Sequence, residues 1–465
     1  MSHVAVVLAA GQGTRMKSEL PKVLHRVAGR PMIHWVVGAV QATAPERVIV
    51  VVGHGADAVV AALPDGIEWC VQEERRGTGH ATQIALAYAG DIGSRAVMVL
   101  PGDTPLITGE VLVDLVDRHR RAGAGASMLT AEIADPTGYG RVIRHDGAVR
   151  GIVEHKDADE HQLRVREINA GMYIFDGSTL VADLAGLRAE NAQAELYVTD
   201  VVAAVVARGE PIEALVVSEE LVAGINTHEQ LAAANAVARR RITGRLMNEG
   251  ISVLDPERTY IDADVSIGEG AVVYPGCHLE GSTVIESGAV VGPDVFALDT
   301  RIGTGSRVWY SVVRGADIGP DCEVGPYTTL RPGTVMRRSA KAGSFVEIKK
   351  STLGEGAKVP HLSYMGDATI GANANVGAGS ITCNYDGFSK HETHIGAGAF
   401  VGSDTMLVAP VTVGDGAITG AGSVITRDVE AGSLAVERSD QRSVPGYAAR
   451  RAERYRDAEG ETKEH

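Results

Sequence analysis

From Ile261 onward, aliphatic residues recur every six positions, and few chain architectures can satisfy that spacing. Ile261, Ile267, Val273, Leu279, Ile285 and Val291 follow one another without a slip. The register resumes at Ile302 and Val308, runs from Ile318 through Val324, Leu330, Met336 and Ala342 to Ile348, and returns at Ile395, Val401, Leu407 and Val413. Gly, Asp or Glu follows many anchors, as in IGEGAV, VGPDVF, IGPDCE and VGDGAI, with a small residue four places on. Six is not the 3.6 period of a helix, and the frequent glycines would weaken one. The spacing suits a very short strand and a turn, coiled so that every anchor points into one interior. A Gly-rich linker would not hold aliphatics in phase for so long, so a parallel β-helix is expected from about Ile261 to Val424.

This pattern resembles the hexapeptide-repeat β-helix proteins. The resemblance implies three hexads per coil, left-handed winding against the usual right-handed crossover, and association as a homotrimer. Only 4% of the chain is aromatic, so Val, Ile, Leu and Ala must fill the coils.

The first half reads differently. Apolar runs at Val4–Ala10, Val48–Val52, Val97–Leu100 and Met172–Phe175 alternate with helix-like stretches such as Gly109–Arg121. That is an α/β, Rossmann-like pattern with a mostly parallel sheet, in which ligands bind beyond the carboxyl ends of the strands. Thr227–Asn248, rich in Ala and Arg, reads as a connecting helix. The expected organisation is an α/β domain over residues 1–226, a linker helix over 227–250, a β-helix domain over 251–437 and a basic tail over 438–465. With 59 acidic against 44 basic residues, a net charge of -15 disfavours nucleic acid or an anionic membrane as the main partner. The start MSHVAVVLAAGQG lacks a basic leader, no apolar run approaches spanning length, and four scattered cysteines form no CxxC pair. A cytoplasmic protein is expected.

The string LAAGQGTRMKSELPKVL carries chemistry. Gly11-x-Gly13 alone is a common tight turn, and neither a complete dinucleotide fingerprint nor a P-loop is present. A Gly-rich turn nevertheless lets backbone N–H groups approach phosphate oxygens, Arg15 offers a fork for them, and Lys22 adds a second charge. The full string resembles the nucleotide-binding signature of sugar-1-phosphate nucleotidyltransferases. The resemblance implies that Leu8, Ala9, Ala10, Gly11 and Lys22 meet the nucleotide and that Arg15 and Lys22 act in catalysis. Three later segments match the same family in order. QEERRGTGHA places Gln72, Gly77 and Thr78 around uracil, and LPGDTPL offers Asp103 for Mg²⁺. GYGRV, IVEHKDA and INAGMY supply Gly140, Glu154 and Asn169 for the sugar, and GIN supplies Asn226 as a second magnesium ligand. Read without the family, Asp103 is ordinary turn chemistry. Pro101 has no N–H to donate, so no contact is expected there.

On the coil, Arg331 and Lys349 each follow an anchor and lie eighteen apart, one coil if three hexads make a turn. Stacked about 5 Å apart, they would repel by about 0.8 kcal/mol in water and about 3 kcal/mol at an effective dielectric of 20. An anion between them, or two side chains splaying into solvent, would relieve this equally well. FVEIKKSTLGEGAKVPHLSYMGDATIG adds Glu347, His361 and Tyr364, and Asn375 follows. His361 falls at a corner, where Glu347 could orient it as a base. Glu347 and Tyr364 should be stacked neighbours. Between Val376 and Ile395 the register is lost, and an extruded loop bearing Asn384 and Tyr385 is expected.

Taken together these strings resemble, over nearly the whole chain, the bacterial bifunctional N-acetylglucosamine-1-phosphate uridyltransferase/glucosamine-1-phosphate N-acetyltransferases. That resemblance implies that Arg331, Lys349, Tyr364 and Asn375 hold glucosamine 1-phosphate and that His361 is the general base. It implies that Ala378, Asn384, Tyr385, Ser403, Ala421 and Arg438 line acetyl-CoA, with the loop reaching a neighbouring subunit. Acetylation would yield N-acetylglucosamine 1-phosphate, and UTP would convert it to UDP-N-acetylglucosamine for peptidoglycan and other envelope polysaccharides. Arg442 to Arg456 holds five arginines against Glu453, a grip for CoA phosphates or a solvated end; beyond Arg456 a frayed end is expected. Three rivals make different demands. A single-activity enzyme of the ADP-glucose pyrophosphorylase kind would lack His361, Lys349 and the loop. A decayed binding protein would lack Gly11–Arg15, Lys22 or Asp103. A third would keep both activities with another nucleotide or sugar.

Overall fold

The computed structural model describes residues 2–461 and divides the chain into two compact units, one up to Thr283 and one from Val284. In the first, seven strands line up in the order Ile212–Val216, Ala126–Glu132, Glu167–Phe175, Ala96–Pro101, His3–Ala9, Arg47–Val52, Glu68–Val71. All are parallel except Glu167–Phe175, which runs antiparallel between its two neighbours, so the Met172–Phe175 run is the antiparallel exception in a mostly parallel sheet. Near-continuous Val, Ile and Leu runs are what a sheet covered on both faces requires. Val7, Val50, Met98 and Leu129 face one apolar layer with the helices Met32–Gln41 and Gly109–Ala122, while Val6, Ile49, Val99 and Met128 face the layer under Thr78–Ala89 and Thr199–Ala207. A hairpin, Arg141–His145 with Ala148–Val153, hangs from the antiparallel strand at Ile168.

The linker helix spans His228–Asn248, capped by the Thr227 hydroxyl, which accepts from Gln230 N. Its Ala234 and Ala238 pack on Val27, Met32, Leu106 and Ile225. The first coil strands, from Ser252–Val253 to His278–Glu280, belong to this unit, with Val253 beside Val273 and Ile261 beside Leu279. The coil therefore starts earlier than its first legible anchor.

In the second unit the parallel strands continue in three ladders down to Leu434–Ala435, past the expected end at Val424. Ile318, Met336, Leu353 and Ile370 stack on one face, Val308, Val324, Ala342 and Val359 on the next, and Val313, Leu330, Ile348 and Met365 on the third. All twelve are at most 1% exposed. The small residue four places after an anchor, such as Ala289, Ala340, Ala357 or Ala374, is buried where the coil turns. Coils need not keep the full eighteen: Ile302 pairs with Ile318, sixteen on, because corners absorb the missing residues. Ile370 pairs with Ile395 across a longer detour, but only part of it leaves the coil. Ile381–Cys383 keeps its place in the ladder, with Thr382 as a buried polar anchor, so the extrusion is confined to Asn384–Glu392. No helix among the described residues is long and apolar enough to cross a membrane.

Candidate active sites

The strands His3–Ala9 and Ala96–Pro101 are adjacent, and both send loops out beyond their carboxyl ends. A cavity of about 410 Å³ opens there, lined by Leu8, Ala9, Ala10, Gly11, Lys22, Gln72, Gly77, Thr78, Asp103, Glu154 and Asn169. Eleven residues singled out in the sequence thus share one wall. Lys22 Nζ donates to Asp103 Oδ2 and, at 3.1 Å, to Asn226 Oδ1, which draws both proposed metal ligands to one point. Gly13 must be glycine: its φ is +64°, and a β-carbon would lie 2.7 Å from the Lys22 β-carbon. Gly77, at φ +102°, would likewise strike the Leu196 carbonyl oxygen at 2.5 Å. Buried Gln72 donates to the Gly77 carbonyl at 3.2 Å, fixing its amide at the base of that turn.

Asn169 stands at a register shift of the antiparallel strand, its Nδ2 2.5 Å from the Tyr173 hydroxyl. Glu154 is half-buried, and the loss of solvent around it pushes its carboxyl above the usual range. Gly140 sits against it, since a β-carbon there would lie 3.3 Å from Glu154 Oε1. Arg15 is exposed in the turn Thr14–Met16 and is not on the cavity wall. Its charge is felt at Tyr139, whose phenol is pushed up by burial, then by Glu219 and Asp103, against the pull of Arg15. Pro101, from which no contact was expected, lies on the wall; its ring takes part although it has no N–H.

Sequence reasoning missed Arg75, Glu195 and Thr199, polar residues that also stand on the wall. Arg75 reaches Gln12 Oε1 at 2.9 Å, and Leu196 donates to the Arg76 carbonyl and accepts from Gly79 N, both at 2.7 Å. The ELYVT string at 195–199 has no periodicity that marks it, and only folding sets it across the Gly77 turn.

On the coil, Thr329, Glu347 and Tyr364 stand in register on successive rungs, and Leu330 pairs with Ile348, which puts Arg331 beside Lys349. The Glu347 carboxylate accepts from Arg331 Nη1 at 2.9 Å. Glu347 is thereby tied to Arg331 on the neighbouring rung. His361 ends the strand Lys358–His361 beside Ser344, exposed at the corner that leads into Tyr364. Lys390, which the sequence reading passed over, folds back from the loop to Lys349. Its ammonium is the main reason that the Lys349 pKa falls below the usual lysine range, with Arg331 adding to the effect and Asp367 opposing it. Three cations therefore meet at one edge of the coil.

Asn384 opens the extrusion but turns inward: it is 7% exposed, with Nδ2 2.6 Å from Asp367 Oδ2. Tyr385 is the exposed one, its hydroxyl donating to the Gly387 carbonyl at 2.6 Å. Asn375 pairs with Lys358 and Phe400 on the face that ends in His361. Below His361 the same corner repeats coil by coil. Gly379 N donates to the His361 carbonyl, Asp404 N to that of Ala378, Gly422 N to that of Ser403, and Arg438 Nη1 to that of Ala421. Ala378, Ser403 and Ala421 thus form one column, with Arg438 at its foot. The tail is a helix, Tyr447–Glu461, whose Arg450, Arg451 and Arg454 are exposed. The frayed end expected beyond Arg456 is helical as far as Glu461, and the last four residues lie outside the described ones.

Comparison with known proteins agrees with this division. A MobA-like NTP transferase domain matches residues 5–161, and a bacterial transferase hexapeptide (six repeats) matches residues 392–427. The bifunctional protein GlmU of Heliobacterium modesticaldum is 49% identical over 451 residues, covering 97% of this chain and 98% of that protein. Its counterpart in Streptomyces avermitilis is 48% identical over 452 residues, covering 96% and 94%. An α/β domain with a cavity of about 410 Å³ beyond its strand ends and a hexapeptide coil with its own polar cluster, matched end to end by such relatives, leave one assignment: the chain belongs to the GlmU family of bifunctional nucleotidyltransferase–acetyltransferases.

Proposed function

We propose that the residues of the two sites divide the work as follows. On the coil, Arg331, Lys349 and Lys390 bind the phosphate of glucosamine 1-phosphate, and Tyr364 and Asn375 hold the sugar. His361 takes a proton from the 2-amine as it attacks the thioester carbonyl of acetyl-CoA, and CoA leaves as thiol. Asn384, Tyr385 and the column Ala378, Ser403, Ala421 with Arg438 bind acetyl-CoA. Glu347 positions Arg331. In the α/β domain, Gln72, Gly77 and Thr78 take the uracil of UTP, and Gly140, Glu154 and Asn169 take the sugar of N-acetylglucosamine 1-phosphate. Its phosphate oxygen attacks the α-phosphorus, and pyrophosphate leaves. Lys22 and Arg15 offset the charge of the triphosphate, so alignment and electrostatics carry the step without a covalent intermediate.

Asp103 and Asn226 are hard oxygen donors that meet at one nitrogen of Lys22, a donor set suited to Mg²⁺. When bound there, Mg²⁺ supplies charge neutralisation on the phosphates. No group of three or more His, Cys, Asp or Glu among the described residues offers a rival metal site. A homotrimer in the cytoplasm completes the reading, with the loop at Tyr385 serving a neighbouring coil.

The observation that carries the reading is the gathering of Lys22, Asp103, Glu154 and Asn169 on one cavity wall. Asp103→Ala tests it directly. Mg²⁺-dependent pyrophosphate release from UTP should fall at least a hundredfold with acetyl transfer intact; release at the wild-type rate would refute it.

A further inference from the structure

We propose that Lys22 is an internal counter-cation that keeps the metal position closed until the phosphates of a nucleotide draw it away, an inference that rests on reading Asp103 and Asn226 as the metal ligands. The Lys22 ammonium hydrogen-bonds the carboxylate of Asp103 and the amide oxygen of Asn226 together. It thereby takes the point where the two oxygens converge, which is where a divalent ion would sit. The pair is well shielded, with side chains 13% and 17% exposed, so bulk water screens it weakly.

The root of Lys22 is fixed, and its head is held by the two bonds to Asp103 and Asn226. Gly13 lies so close over the stem that no β-carbon fits between them. Ala9, Ala10 and Gly11 line the same cavity as Lys22 and Asp103, so phosphates seated at that turn would lie within reach of the ammonium. An ammonium and a divalent cation repel each other, so one excludes the other from the same carboxylate oxygen. A triphosphate carries several negative charges and is the stronger partner for the ammonium. Its arrival at the Gly11 turn releases Asp103. Metal and nucleotide then bind with positive coupling, and metal alone binds weakly.

Mn²⁺ is the probe, with free ion counted by electron paramagnetic resonance in the absence of nucleotide. Lys22→Met keeps the methylene stem against Gly13 and removes the charge. It should bind Mn²⁺ at least tenfold more tightly than the wild type, and the gain should vanish in Lys22→Met/Asp103→Asn. Lys22→Gln gives a second neutral variant should Met disturb the fold. Unchanged Mn²⁺ affinity in both variants, with pyrophosphate release still lost in Asp103→Ala, overturns the lock and leaves the metal ligands standing. Retained release in Asp103→Ala removes the metal reading and the lock with it.

Discussion

At Gly13 the backbone occupies the left-handed region, which costs a side chain roughly 1–3 kcal/mol, and a new methyl would press on Lys22. Gly13→Ala should therefore cut kcat/KM for pyrophosphate release at least tenfold and leave acetyl transfer unchanged, as parallel assays of the two products would record. Glu154 makes a pH prediction. Burial raises its folded-state pKa above that of the unfolded chain, so its contribution is most favourable below the unfolded value, near 4.5, and is lost as pH rises through the folded one. Glu154→Gln removes this loss. Urea midpoints of wild type and variant should lie together at the acid end and diverge as pH rises, the variant being the more stable at pH 8. Divergence in the opposite direction would mean that the carboxylate is stabilised where it sits.

A single rung of the coil shows what an element contributes. Ile348 is fully buried between Glu347 and Lys349, both of which turn outward. Ile348→Ala opens a cavity worth about 2–5 kcal/mol and shifts two polar residues at once. Acetyl transfer should drop more than tenfold while uridylyl transfer holds. Thr382 is the polar counterpart: its hydroxyl accepts from Gly366 N at 2.8 Å inside the coil. Thr382→Val is nearly isosteric but strands that N–H, at a cost of about 1–3 kcal/mol, which calorimetry of the intact chain would detect. A coil built on shape alone would tolerate the exchange.

For the molecule as a whole, both transfers in one chain imply that product of one site becomes substrate of the other. Incubated with glucosamine 1-phosphate, acetyl-CoA, UTP and Mg²⁺, the wild type should release CoA and pyrophosphate together. His361→Ala should release neither from that mixture, yet should form pyrophosphate when N-acetylglucosamine 1-phosphate is supplied. Sedimentation should give three times the 48.7 kDa mass of the chain; a monomer with full acetyl transfer would contradict the shared acetyl-CoA site.

Local order carries far in this chain. The period of six determines the coil because each hexad repeats one strand and one turn, so a short window already contains the whole geometry. The Gly11 turn is legible for the same reason, as turn chemistry lies in consecutive residues. Tertiary structure alone decided which distant groups meet. Lys22 reaches Asn226 from 204 positions away, Thr199 crosses to Glu154, and Lys390 returns to Lys349. Glu347 took Arg331 as its partner, and Asn384 turned inward to Asp367. These choices depend on where whole strands and loops come to rest, and no local spacing records that, because each contact is settled by the competition of every partner within reach.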